Sequence, residues 1–181
     1  MIFDHLPASI ADEVTVFGGA LRDLILGTPV NDLDLATSSP ESERIALEFF
    51  AAAGKAGPLT ERHGNFVFNG TKVQVLRGIH LPASARDVAL ISDFTICCCA
   101  ATREETGFHP HFLRDLERRH LRLHKIPYPL ATLARLQKFN QRGFIADDPT
   151  LLRLAEAIAA FNFGDRSMVS AQLPEIAACE F

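Results

Sequence analysis

Phe17-Gly18-Gly19-Ala20-Leu21-Arg22-Asp23, followed by Asp32-Leu33-Asp34-Leu35-Ala36-Thr37, is the stretch that decides how this chain is read. A Gly-Gly turn leads into a short helix, and a strand then carries two aspartates two positions apart. Successive side chains on a strand point to opposite faces, so Asp32 and Asp34 share one face while Leu33 and Leu35 point into a core. Neighbouring carboxylates repel unless a cation lies between them, and an all-oxygen ligand set suits Mg²⁺ or Mn²⁺ better than zinc. The glycines leave backbone N–H groups free at the start of a helix, where phosphate binds readily. Together these parts read as a metal–triphosphate site.

Working outward, caps and turns punctuate the rest. Val14 to Phe17 is expected to be a strand, Ala20 to Leu26 a short helix closed by Gly27, and Asp32 to Ala36 a second strand. Ser39 as N-cap, Pro40 in the first turn and acidic Glu41 and Glu43 predict a helix ending near Gly54. Phe66 to Phe68 and Val73 to Leu76 flank Asn69-Gly70, a strong hairpin signal. Residues 78–90 read as a loop and Phe94 to Ala101 as a buried strand. Pro129 opens a helix with Leu130, Leu133, Leu136 and Phe139 recurring every third residue, and Gly143 stops it. Asp148 as N-cap and Pro149 start another helix through Phe161.

Composition sets bounds on function. The 181 residues carry a net charge of −4, which argues against a wholesale nucleic-acid binder. Residues 101–142 nevertheless hold nine Arg or Lys against four Asp or Glu, a local excess suited to a triphosphate or an RNA backbone. The four cysteines include the adjacent Cys97, Cys98 and Cys99 and form no Cys-x-x-Cys. Adjacent cysteines are poorly placed to pair, so they read as core packing in a reducing cytoplasm. No segment reads as a membrane span. His109, His111, His120 and His124 lack dense metal-ligand spacing and read as polar surface or phosphate-contacting residues.

The opening stretch resembles the nucleotidyltransferases of the DNA polymerase β superfamily. It is most similar to the head domain of bacterial poly(A) polymerases and class II CCA-adding tRNA nucleotidyltransferases. Their motif runs Gly-Gly-x-x-Arg-Asp, a short Gly-containing loop, Asp-x-Asp and then Thr. Gly18, Gly19, Arg22, Asp23, Gly27, Asp32, Asp34 and Thr37 fall in place. The resemblance implies an α+β fold: a palm-like sheet with flanking helices over residues 1–126, then a small helical neck over 127–181. It also implies a metal-dependent enzyme that transfers NMP from an NTP to an acceptor hydroxyl and releases pyrophosphate. An RNA 3′ end, tRNA above all, is the implied acceptor. A small-molecule or protein acceptor, and a nucleotide-binding module with weak catalysis, stay open as alternatives.

Site residues follow from the same resemblance. Asp32 and Asp34 would hold Mg²⁺ or Mn²⁺, and Gly18 and Gly19 would cradle the phosphates. Arg22 would touch phosphate, Asp23 would hold the loop, and Thr37 would line the nucleotide site. Two-metal transfer calls for a third acidic group, which relatives carry in Arg-Arg-Asp-Phe-Thr-Ile-Asn. Ser92-Asp93-Phe94-Thr95-Ile96-Cys97 matches its core, making Asp93 the third catalytic and metal-binding carboxylate, with Thr95 and Cys97 on the same strand face. Ile91 and Ser92 stand where relatives have arginines. Gln74 occupies another position where relatives carry an acid, and Asp115 is expected to be structural.

In the neck, CCA-adding enzymes read the base with Glu-Asp-x-x-Arg. Tyr128 and Ala131 stand at the Asp and Arg positions here, so ordered C-then-A addition is not expected. An alternative register through Asp147-Asp148-Pro149 puts Arg153 at the wrong offset. Tyr128 would stack on a base or pack in the neck, while Arg135 and Lys138 are expected to meet the phosphates.

Overall fold

Two strands fix the centre of the sheet: Val14–Phe17 (β1) and Asp32–Thr37 (β2). They are antiparallel, with Val16 opposite Leu35 and Phe17 opposite Asp34. Gly19–Ile25 (α1) connects them, and Pro40–Ala53 (α2), Lys55–Leu59 (β3), His63–Phe68 (β4), Thr71–His80 (β5), Ala85–Ala89 (α3), Cys99–Ala101 (β6) and Thr106–Phe108 (β7) complete the sheet and its helices. The seven strands run β3-β4-β5-β2-β1-β6-β7, and β2 against β5 is parallel while the other pairs are antiparallel. The computed structural model describes residues 2–60, 62–82 and 84–177. It divides into two compact units, residues 1–91 with 97–110 and residues 92–96 with 111–181. The sequence reading places one division, after residue 126. The contacts instead group 92–96 and 111–126 with the later helices.

In the first unit, Val14, Val16, Leu35, Val73, Val75, Phe66 and Phe68 meet Ala46 and Phe50 of α2 in one apolar core. Helix α2 starts where its cap chemistry says: the Ser39 side chain accepts from the Ser42 backbone N–H at 3.1 Å, and the Ser42 side chain returns a bond to Ser39. Asn69 and Gly70 adopt φ of 49° and 80°, the two-residue hairpin turn expected from Asn-Gly. Two expectations give way. Residues 78–90 are no loop, since β5 runs to His80 and α3 follows with Ala85, Val88 and Ala89 packed on Ala100. Residues 94–101 are no continuous strand: Thr95–Cys97 is a 3-10 turn, and only Cys99–Ala101 is strand. Local side-chain bonds explain this, with Asp93 Oδ1 accepting from the Phe94 N–H at 2.8 Å and Thr95 Oγ1 donating to Asp115 at 2.8 Å.

The second unit comprises Phe112–Glu117 (α4), His120–Leu121 (β8), Pro129–Gln141 (α5), Ile145–Ala146 (β9), Asp148–Ala159 (α6), Arg166–Ser170 (α7) and Leu173–Ala177 (α8). Phe139 of α5 lies edge-on to Phe94 and Phe144, with centroids 5.8 and 5.9 Å away. The inward face of α5 is Ala131, Leu136 and Phe139, whereas Leu133 is exposed; a helix turns every 3.6 residues, so a strict period of three drifts off the core. The N-cap of α6 is Asp147 rather than Asp148, through Thr150 N–H to Oδ1 at 2.9 Å. The N-terminus of α5 lacks a side-chain cap from Tyr128, and Gln172 Oε1 accepts from the Leu130 N–H at 2.9 Å instead. Among the described residues no helix is long and apolar enough to cross a membrane.

Candidate active site

Strand alternation sets the two aspartates on one face of β2, with Asp32 exposed and Asp34 half-buried at its edge. Leu33 and Leu35 turn to the α2 side, as expected. The parallel register places Lys72 beside Asp32 and Gln74 beside Asp34, and Gln74 donates to Asn65 Oδ1 on β4 at 2.6 Å. A polar strip thus crosses three strands with the two carboxylates in it. Thr37 does not join them. It follows Leu35 in the alternation and stands opposite buried Val14; only 1% of Thr37 is exposed.

Gly18 closes the other side of Asp34. It adopts φ 79° and ψ −135°, a conformation that side chains other than hydrogen strongly disfavour. A Cβ there would sit 3.1 Å from Asp34 Oδ2. Gly18 is tied to β6 from both of its peptide groups: its N–H donates to the Cys99 carbonyl at 3.1 Å, and the Cys99 thiol donates to its carbonyl at 2.9 Å. Burial pushes the Cys99 thiol well above its ordinary range, so it stays protonated and able to donate.

Arg22 is buried rather than presented to solvent. Its Nε and Nη2 hold both oxygens of Asp23 at 2.8 and 2.9 Å, and Nη1 donates to Cys97 Sγ at 3.3 Å. The guanidinium lies so close to Gly19 that a Cβ there would be 2.8 Å from Nη2. The backbone carbonyl of Asp23 accepts from both the N–H and the hydroxyl of Thr28, which ties the following loop to α1.

Asp93 belongs to the second unit. Its Oδ2 lies 2.9 Å from Arg135 Nε, off the N–H axis, so the contact is an ion pair more than a hydrogen bond. Its backbone carbonyl accepts from His124 and Lys125. Arg135 and Asp93, singled out separately in the sequence, therefore meet each other. Among the described residues no three His, Cys, Asp or Glu side chains gather as a metal-binding group. Asp32 and Asp34 thus share one face of β2 in the first unit, and within the second unit Asp93 pairs with Arg135. The oxygen donors of Asp32 and Asp34, with Gly18 leaving room at Asp34, fit a hard divalent cation.

Asp115 is structural in its contacts, bonding Thr95, Arg122 and His120. Burial works to raise its carboxyl, but hydrogen bonds from Arg122, Thr95 and His120 outweigh this and hold it below the usual carboxylate range. Tyr128 and Lys138 are both half-buried at the surface of α5. Sequence reasoning did not single out Lys72, Asn65 or Cys99 for this site. Strand order and register bring the first two to it, and no local pattern encodes those.

The fold is the nucleotidyltransferase α+β fold. No family model matches the chain. A CCA-adding enzyme in complex with CTP superposes with a TM-score of 0.64 at 19% identity, over 92% of this chain and 42% of that one. The Thermotoga maritima CCA-adding enzyme complexed with tRNA gives 0.61 at 21% identity, over 81% of this chain and 38% of that one. Among curated proteins the chain is similar to the CC-adding tRNA nucleotidyltransferase of Shouchella clausii (strain KSM-K16). That likeness is 26% identity over 171 residues, 93% of this chain and 40% of the relative. The chain spans less than half the length of each of these proteins.

Proposed function

We propose that this chain is a nucleotidyltransferase that moves a nucleoside monophosphate from an NTP to a hydroxyl at the 3′ end of an RNA, with tRNA the acceptor to test first. The observation that carries the reading is Asp32 and Asp34 side by side on β2, with the Gly18 backbone pressed against Asp34 in a glycine-only conformation. The fold and the tRNA-directed relatives support it.

The carboxylate oxygens of Asp32 and Asp34 would hold Mg²⁺, which when bound would supply charge neutralisation for the triphosphate and lower the pKa of the attacking hydroxyl. The acceptor oxygen forms a bond to the α-phosphorus, the bond from that phosphorus to the β-phosphate bridge breaks, and pyrophosphate leaves as the hydroxyl proton is lost. Gly18 and Gly19 bring backbone close to the phosphates without a side chain in the way. Lys72, beside Asp32, adds a cation at the same face. In the second unit Asp93 orients Arg135, and Arg135 with Lys138 offers cations suited to an RNA backbone.

Base choice in this reading is not the ordered C-then-A of a template made from Asp and Arg. Ala131 is buried in α5 and has no polar edge to offer, and Tyr128 offers a ring face that accepts any base. The relative's CC-adding activity makes CTP the first nucleotide to try. The test supplies each NTP with Mg²⁺ and tRNA trimmed at its 3′ end, and follows pyrophosphate. Release above that of Asp34→Ala supports the reading, and no release with any NTP overturns it. Strict stepwise restoration of CCA would overturn the base-choice part alone.

A further inference from the structure

The cysteine triplet is the feature of the sequence that the proposed reaction leaves unused, yet Cys99 touches Gly18 and Cys97 touches Arg22, which packs over Gly19. We propose that Cys99 and Cys97 are positioning residues for the aspartate face: Cys99 locks the Gly18 peptide against Asp34, and Cys97 locks Arg22 against Gly19. This rests on the nucleotidyltransferase reading for its consequence in turnover, but not for the contacts themselves.

Consider Gly18. Its φ of 79° and ψ of −135° form a state that persists only where neighbours over-determine it. One residue does so, because Cys99 accepts from the Gly18 N–H at 3.1 Å and donates its thiol to the Gly18 carbonyl at 2.9 Å. The carbonyl of Gly18 and the N–H of Gly19 share one planar trans peptide and point in opposite directions. Drawing the carbonyl toward Cys99 therefore turns the Gly19 N–H away from β6. It also fixes the Cα of Gly18, which stands so near Asp34 that a Cβ would be 3.1 Å from Oδ2. Rotation of this peptide would move backbone into or away from the carboxylate.

Arg22 supplies the second lock. Its guanidinium fills the space over Gly19, and it is held from two sides, by both oxygens of Asp23 and by Cys97 Sγ at 3.3 Å. Both thiols are buried, so their part is structural contact and not reaction with solvent reagents.

The test compares Cys99→Ala, Cys99→Ser and Cys98→Ala in the full chain by two readouts. The first is amide hydrogen exchange at Gly18 and Gly19 without nucleotide. The second is the kcat and KM of NTP transfer with Mg²⁺. Losing the thiol donor in Cys99→Ala should speed exchange at Gly18 and Gly19 about tenfold and lower kcat by a similar factor. Cys99→Ser, which restores a hydroxyl donor, should recover most of both, and Cys98→Ala should change neither beyond its general loss of packing. Cys97→Ala should free the Arg22 Nη1–H signal to exchange while Cys97→Ser retains it. Exchange that rises equally in Cys98→Ala and Cys99→Ala, without rescue by Ser, would overturn the proposal. Should Cys99→Ala loosen the loop while the wild type neither binds nor transfers any NTP, the lock stands and the nucleotidyltransferase reading falls.

Discussion

Gly18→Ala is the substitution whose effect can be worked furthest. At φ 79° and ψ −135° an alanine is held in a sparsely populated state costing about 1–3 kcal/mol. Its methyl group would also stand 3.1 Å from Asp34 Oδ2, closer than ordinary contact, so the carboxylate must give way by a few tenths of an ångström. Gly27→Ala provides the internal control. Gly27 has φ 65° but nothing within 4 Å of a built Cβ, so only the backbone cost of about 1 kcal/mol applies. Urea unfolding followed by far-ultraviolet circular dichroism reads the first effect. With a slope of about 2 kcal/mol per molar, Gly18→Ala should lower the midpoint by roughly 1 M and Gly27→Ala by about half that. The two units need not melt together, so the transition that Gly27→Ala moves is the one to compare. Transfer reads the second effect: displacement of Asp34 should slow turnover about 100-fold in Gly18→Ala, and Gly27→Ala should leave it unchanged. A Gly18→Ala protein with wild-type stability and turnover would refute both the backbone argument and the placement of Asp34 in the site.

Removing either carboxylate, by Asp32→Ala or Asp34→Ala, should abolish transfer while the midpoint in urea holds or rises slightly, because like-charge repulsion is relieved. Asp93 and Arg135 should show a coupling of about 1 kcal/mol in a double-mutant cycle, modest because the arginine is partly exposed. Tyr128→Ala should weaken binding of all four NTPs by a similar factor, measured by titration, since stacking does not distinguish bases. Acid should weaken the second unit. Asp115 and Asp147 are both held below the ordinary value of 3.8, against burial that works the other way, by bonds from Arg122 and Thr95 to the first and Thr150 and His120 to the second. Their contribution is complete above about pH 4 and is lost as pH falls through the depressed range. Asp115→Asn should flatten that part of a stability profile measured from pH 5 to 2.

Local chemistry made much of this molecule legible in advance. Ser39 and Pro40 mark the start of α2, Asn69-Gly70 the hairpin, and Pro129 and Gly143 the limits of α5, because caps and turns act within a few residues. Asp32 and Asp34 were readable as one face for the same reason: alternation is a property of a single strand. What depended on distant partners was not readable. Thr37 sits in the motif but turns to the α2 side, and Asp93 finds Arg135 across the second unit. The apolar run 94–101 is buried either way, so burial cannot tell a strand from the 3-10 turn that Asp93 and Asp115 side chains induce. Lys72 and Gln74 stand beside the aspartates through a parallel register that no local pattern writes down.

The central claim is tested most directly by incubating the protein with Mg²⁺, trimmed tRNA and each NTP labelled at the α-phosphate, then asking where the label goes. Covalent label at the RNA 3′ end, present with the wild-type chain and absent with both Asp32→Asn and Asp34→Asn, is the predicted result. Label that never leaves the nucleotide, or that reaches RNA equally well with both variants, would contradict the account.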